Sequence, residues 1–64
     1  MKFHVPDMSC GHCTATISKS IKAADPAAQV DTDLPTRMVS VESTSQPETI
    51  LQSIRSAGYD AVPV

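Results

Sequence analysis

Residues 2–26 read KFHVPDMSCGHCTATISKSIKAADP, and this stretch predicts a strand, a loop and a helix in turn. Apolar and polar side chains alternate over Lys2–Val5, which predicts a short strand that Pro6 ends. Asp7–His12 is predicted to be a loop. From Cys13 to Ala24, apolar side chains recur at helical spacing, which predicts an amphipathic helix that Asp25-Pro26 ends. The apolar stripe of this helix is Ile17, Ile21 and Ala24.

A β-hairpin is predicted next. Residues 28–33 alternate in polarity, with Ala28, Val30 and Thr32 on one side. Leu34–Arg37 is typical of a turn, and Met38–Glu42 alternates again with its valines facing inward.

The last third of the chain predicts a second helix and a final strand. Pro47 suits the first helical position, with Gln46 or Ser45 before it as the cap. Gly58 suits the end of the helix, because glycine accepts a left-handed backbone. Tyr59–Val64 is predicted to be the last strand. The apolar stripe of this helix is Ile50, Leu51, Ile54 and Ala57.

The order β-α-β-β-α-β predicts an α+β fold, the ferredoxin-like βαββαβ sandwich. Right-handed crossovers would place both helices on one face of a four-stranded antiparallel sheet. The chain has 64 residues and is expected to be a single domain, residues 1–64. A domain of this size has one thin core and no room for a deep substrate cavity.

Composition and charge exclude several classes of partner. Five basic and seven acidic side chains give a formal charge of −2, so nucleic acid is not an expected partner. No apolar run approaches the roughly 18 residues that span a bilayer, and no signal peptide is present. We therefore expect a soluble, cytoplasmic protein without membrane insertion. A start at Met1 with no leader or flanking linker favours a complete protein over a domain excised from a transporter.

The motif Met8-Ser9-Cys10-Gly11-His12-Cys13 carries the predicted chemistry. Two cysteines three positions apart bring both sulfurs onto one ion if the first lies in the loop and the second in the first helical turn. Free N–H groups and the positive end of the helix dipole favour thiolates there. Two soft thiolates suit Cu(I), whereas Zn²⁺ prefers four ligands. Cys10 and Cys13 are therefore the predicted ligands of Cu(I).

Three neighbouring side chains each have two interpretations. Met8 offers a thioether to copper, but a methionine beside an apolar strand is more often part of the core. His12 is either a third ligand or an exposed loop residue, and exposure is favoured. Tyr59 either shields the metal and hydrogen-bonds toward a thiolate or closes the core at the end of the sheet.

Met8–Cys13 resembles the Met-X-Cys-X-X-Cys loop of the heavy-metal-associated domains, and in particular of the bacterial copper chaperones. The resemblance covers nearly the whole chain, including Gly58-Tyr59-Asp60 at the start of the last strand. It implies that Cys10 and Cys13 bind Cu(I), that Met8 packs under the loop and that Tyr59 lies near the metal. One departure is Asp7, which stands where the family usually has glycine. The resemblance therefore does not predict the backbone conformation of the loop at this position.

The resemblance also implies partners. The family transfers Cu(I) by thiolate exchange to the N-terminal metal-binding domain of a copper-transporting P-type ATPase. A copper-bridged homodimer is a further hypothesis, because two cysteine pairs can share copper. Lys19 and Lys22, on the helix after the motif, either steer such a partner or form a solvated helix face.

Two alternatives remain open. One is a carrier or transporter domain for Hg(II), Zn(II) or Cd(II). The other is a thiol–disulfide oxidoreductase, because Cys10-Gly11-His12-Cys13 is also the motif of protein disulfide isomerases. Thioredoxin folds are longer and place the motif after a βαβ start, which disfavours that reading. No nucleophile, base and orienting group occur together, so no enzyme is predicted.

Overall fold

The computed structural model describes all residues, Met1–Val64. The sheet has the strand order β2-β3-β1-β4, and every neighbouring pair is antiparallel. The two helices pack against each other and contribute to one core. The predicted βαββαβ order and α+β fold are therefore confirmed. The elements are β1 (Lys2–His4), α1 (Gly11–Ala24), β2 (Gln29–Asp33), β3 (Met38–Glu42), α2 (Pro47–Ser56) and β4 (Val62–Pro63).

The core consists of aliphatic side chains and one phenylalanine. Alternation along β1 and β3 directs every second residue inward, and the helices contribute two isoleucines each. These positions agree with the predicted strand alternation and with most of the predicted helical stripes. The eleven buried residues are Phe3, Val5, Met8, Ile17, Ile21, Ala28, Val39, Val41, Ile50, Ile54 and Ala61.

The first helix ends at Ala24, before Asp25-Pro26, as predicted, but it begins earlier than predicted. It begins at Gly11 rather than Cys13, because Gly11 and His12 are exposed and carry no apolar periodicity. Ala24, predicted to lie in the apolar stripe, is exposed. The chain leaves the helix at Asp25, and the buried Ala28 occupies the core at this end instead.

The last strand is shorter than predicted. The strand that pairs with β1 is Val62–Pro63, and the Val64 amide donates to the Lys2 carbonyl at 3.0 Å, whereas the prediction placed a strand over residues 59–64. The preceding backbone is bonded locally: the Tyr59 amide donates to the Ile54 carbonyl at 3.4 Å, and the Ala61 amide donates to Asp60 Oδ1 at 3.0 Å. These amides are therefore not free to pair with β1.

The ends of α2 follow the predicted signals. Gln46 is the N-cap residue and Pro47 the first helical residue. Gly58 has φ +95°, which glycine adopts without strain, and its amide donates to the Arg55 carbonyl at 3.0 Å. Neither helix of the structure has the length and apolar character that crossing a membrane requires.

Asp25 fixes the connection between β3 and α2 to the end of α1. Its carboxylate accepts hydrogen bonds from the Ser43 hydroxyl, from Ser45 Oγ at 3.2 Å and from the Ala27 amide at 3.2 Å. The bond from Ser43, with those from Ala27 and Ser45, holds the pKa of the Asp25 carboxyl below its usual value. The folded state therefore favours the charged form of this side chain.

Asp25→Ala is expected to lower the thermal unfolding midpoint at neutral pH, because two hydroxyls and an amide lose a charged acceptor. Since the folded-state pKa lies below the unfolded-state value, this contribution is present above the unfolded-state pKa and is lost as the pH falls through the folded-state pKa. The difference in midpoint from wild type, followed by circular dichroism, should shrink below about pH 4. Asp31→Ala, which removes an exposed carboxylate of β2, is the control. A difference that persists unchanged into acid would contradict this account.

Candidate metal centre

Both cysteines lie where the loop enters α1. Cys10 is the N-cap residue, with extended backbone angles (φ −153°, ψ 166°), and Cys13 belongs to the first helical turn. Their sulfur atoms are 3.2 Å apart and both thiols are free. This separation exceeds the roughly 2.05 Å of a disulfide bond. The structure thus brings together the two residues predicted to bind metal.

The N-terminal end of α1 has no oxygen cap. No side chain of the N-cap residue bonds to the amides of the first turn, and that turn contains no acidic residue. By contrast, α2 carries Glu48 in its first turn. The positive end of the α1 dipole and its free amides are therefore available to stabilise negative charge on the sulfurs of Cys10 and Cys13.

The two sulfurs differ in their surroundings. Cys10 is exposed, whereas Cys13 is half-buried and packs against the core. The Cys10 thiol therefore lies at the surface, and packing holds the Cys13 thiol against the core. A metal ion held between them would remain accessible from outside.

Tyr59 acts on the inner thiol. Hydrogen bonding from its hydroxyl is the largest cause that lowers the pKa of the Cys13 thiol, to about 7. Hydrogen bonding with the Cys10 thiol and with the backbone of Ser9 lowers the pKa further. The interaction with Cys13 in turn raises the pKa of Tyr59. The thiolate form of Cys13 is therefore favoured near neutral pH relative to an ordinary cysteine. Tyr59 also packs against the core.

Met8 and His12 occupy opposite environments. Met8 is fully buried and belongs to the core, as the packing interpretation predicted. His12 is exposed on the first turn of α1, as was favoured. No group of three or more His, Cys, Asp or Glu side chains comes together in the structure. The candidate site offers two thiols, with Tyr59 near one of them.

Asp7 does not distort the loop. Asp7 is exposed. Arg37 is the only non-glycine residue with a positive φ, so the φ of Asp7 is negative. Glycine is therefore not required at this position, and the departure from the family pattern leaves the backbone of the loop ordinary.

Two threonines near the site were missed by the sequence reasoning. Thr14 Oγ1 donates to the Gly11 carbonyl at 2.8 Å, and Thr16 Oγ1 donates to the His12 carbonyl at 2.9 Å. Both bonds hold the first turn of α1. Threonine inside a helix commonly bonds back to a carbonyl of the preceding turn, and that tendency is the signal that indicates these contacts.

The chain is similar to known metal-binding proteins in sequence. The family model of the heavy-metal-associated domain matches residues 2–60. A superoxide dismutase 1 copper chaperone of Debaryomyces hansenii is 35% identical over 60 residues, which cover 94% of this chain and 24% of that protein. The chain thus spans about a quarter of the length of this curated relative.

Solved structures share the whole fold. The copper chaperone Atx1 of Synechocystis PCC6803, in a trimeric form, has a TM-score of 0.94 and 29% identity, covering 97% of this chain and 98% of its own. A gold binding protein has a TM-score of 0.92 and 41% identity, covering 95% and 94%. A CopZ metallochaperone has a TM-score of 0.86 and 29% identity, covering 97% of each chain.

Tyr59→Phe is expected to raise the pKa of Cys13 from about 7 toward its ordinary value of 9.0. The ring keeps its packing, but the thiolate loses its hydroxyl donor. The measurement is the pH dependence of iodoacetamide alkylation of the reduced, metal-free protein, with the modified cysteine located by tandem mass spectrometry. The alkylation midpoint of Cys13 should move upward, and an unchanged midpoint would show that Tyr59 does not stabilise this thiolate.

Proposed function

The chain belongs to the heavy-metal-associated domain family, and we propose that it carries Cu(I) between proteins, with Cys10 and Cys13 as the ligands. The main support is the pair of free thiols with sulfurs 3.2 Å apart at a helix N-terminus. The copper chaperones among its relatives support the same cargo. We further propose that residues 1–64 act as one metal-binding domain and that the protein works in the cytoplasm.

The donor set supports Cu(I) over Zn(II). Thiolates are soft ligands that select Cu(I), and Cu(I) accepts two ligands, whereas Zn(II) prefers four. Two thiolates and one Cu(I) ion carry a net charge of −1. The uncapped N-terminus of α1 favours negative charge at this place, so it stabilises the loaded complex as well as the free thiolates.

Binding requires a small adjustment of the sulfurs. With metal–sulfur bonds of about 2.3 Å, as for zinc, a linear S–metal–S unit separates the two sulfurs by about 4.6 Å. This is more than the 3.2 Å of the metal-free pair. Rotation of the exposed Cys10 side chain supplies the difference, while Cys13 stays against the core.

Release follows from the same geometry. A thiolate of a partner joins the exposed, two-coordinate ion before Cys10 or Cys13 leaves, so no bare ion forms and no electron is transferred. We propose the N-terminal metal-binding domain of a copper-transporting P-type ATPase as the recipient. Two chains are also expected to share copper through their cysteine pairs, which would give a copper-bridged homodimer.

A second candidate cargo is another soft ion. The 41% identity to a gold binding protein supports Au(I) as this second candidate. Au(I) shares the preference of Cu(I) for sulfur ligands. Hg(II), Cd(II) and Zn(II) are further alternatives for the same two thiolates. These alternatives change the cargo and leave Cys10 and Cys13 as its ligands.

Cys10→Ser and Cys13→Ser are each expected to weaken Cu(I) binding on the order of 100-fold or more, because a hydroxyl is a poor ligand for a soft ion. The measurement is an anaerobic titration of the reduced protein against a cuprous chelator. Circular dichroism should show an intact fold, since neither thiol is among the fully buried core residues.

His12→Gln is the matched control, because it alters a side chain inside the same loop. It is expected to retain wild-type affinity, since His12 is exposed and forms no cluster with the thiols. Tight one-to-one binding by the Cys10→Ser, Cys13→Ser double variant would place the site elsewhere. A large loss in His12→Gln would make the imidazole a ligand.

Metal preference is tested by competition. When one equivalent each of Cu(I) and Zn(II) is offered to the reduced chain, we expect one Cu(I) per chain and no bound zinc, because two thiolates leave Zn(II) under-coordinated. Elemental analysis after gel filtration measures the ratio. Bound zinc in excess of copper would favour the zinc alternative, and a parallel competition with Au(I) separates the two soft cargoes.

A further inference from the structure

Arg37 has an unusual backbone conformation. It ends the turn between β2 and β3, where its amide donates to the Leu34 carbonyl at 3.1 Å, and it has φ 57°. This left-handed conformation suits glycine and asparagine, while a long side chain adopts it at a cost in conformational energy. The conformation of the turn does not favour arginine at this position. The presence of arginine must therefore be explained by the contacts of its side chain.

The side chain and backbone of Arg37 both bond to the segment that leads to the cysteines. Arg37 Nη1 donates to the Pro6 carbonyl at 3.0 Å, and the Arg37 carbonyl accepts from the Val5 amide at 2.8 Å. β1 ends at His4, so these bonds lie beyond the last residue of the strand. One arginine thus bonds to two consecutive residues, Val5 and Pro6, which lie 32 and 31 positions before it in the chain.

A second anchor follows within the same segment. The Met8 amide donates to the Val5 carbonyl at 3.1 Å, and the Met8 side chain is fully buried. Between this anchor and Cys10 there is only Ser9. The contacts of Arg37 and the burial of Met8 therefore fix the path by which the chain reaches the first cysteine.

We propose that Arg37 is a positioning residue for the metal site: it holds residues 5–8 against the β2–β3 turn, so that Cys10 is kept near Cys13. This inference rests on the proposed function, because it explains how the two-thiol site is organised before the ion arrives. When the contact with Pro6 is lost, the loop has more conformations, and metal binding must then order it. The cost of that ordering lowers the affinity.

Arg37→Asn tests this role, because asparagine accepts the left-handed backbone and lacks the guanidinium. We expect Cu(I) affinity, measured by chelator competition, to fall on the order of fivefold, the size of one lost hydrogen bond. In the metal-free variant, hydrogen exchange of the Met8 amide should accelerate, while the thermal midpoint stays close to wild type. Arg37→Lys, which keeps a cationic donor, should recover part of the affinity.

Lys2→Gln is the charge-matched control, since it removes one exposed positive charge from β1, and it should leave both affinity and exchange unchanged. If Arg37→Asn binds and exchanges like wild type, the positioning role is wrong while the copper function stands. If wild type fails to bind Cu(I), the proposed function is wrong, and the exchange of the Met8 amide still decides whether Arg37 orders the loop. A loss of affinity explained entirely by global unfolding would also overturn the inference.

Discussion

The first turn of α1 presents backbone amides without an oxygen cap, and the two thiols lie beside them. Cys10 takes the N-cap position that serine, threonine or aspartate commonly fills, but its side chain does not bond to those amides. With no acidic residue in the turn, nothing else neutralises the positive end of the dipole. The helix terminus therefore favours thiolates and, in the proposed function, an anionic two-thiolate complex.

The rest of the fold holds this terminus in place with few residues. Ile17 and Ile21 fix α1 to the core, and Met8 buries the loop before it. Tyr59, on the segment after α2, reaches Cys13 and stabilises its thiolate. The half-buried thiol of Cys13 thus packs against the core, while the thiol of Cys10 is exposed at the surface. We interpret this asymmetry as suited to an ion that is held firmly and then exchanged.

Much of this arrangement could be predicted from the sequence, because it depends on local patterns. Alternation around Val39 and Val41 gave the inward face of a strand, and the Cys10–Cys13 spacing identified the two thiols that the structure brings together. The sequence predicts the start of α1 two residues late, since the exposed Gly11 and His12 carry no apolar signal. The short final strand depends on bonds made by the Tyr59 and Ala61 amides, which no periodicity records.

Contacts between residues far apart in the chain are the other feature that sequence patterns do not predict. The bond from Arg37 to the Pro6 carbonyl joins residues 31 positions apart. The interaction of Tyr59 with Cys13, which the sequence leaves as one of two interpretations, joins residues 46 positions apart. Such contacts depend on how the turns and helices pack, so they become visible only in three dimensions. They also explain how a small core supports an exposed site, because each reinforces the loop or its thiolate directly.

X-ray absorption at the copper edge of the reduced protein, loaded anaerobically with one Cu(I) per chain, tests the central claim most directly. We predict two sulfur neighbours in a near-linear arrangement and no nitrogen neighbour, because the site offers the thiolates of Cys10 and Cys13 and His12 lies exposed outside it. Coordination by a nitrogen, or by sulfurs in the variant that lacks both cysteines, would contradict a site made of this pair alone.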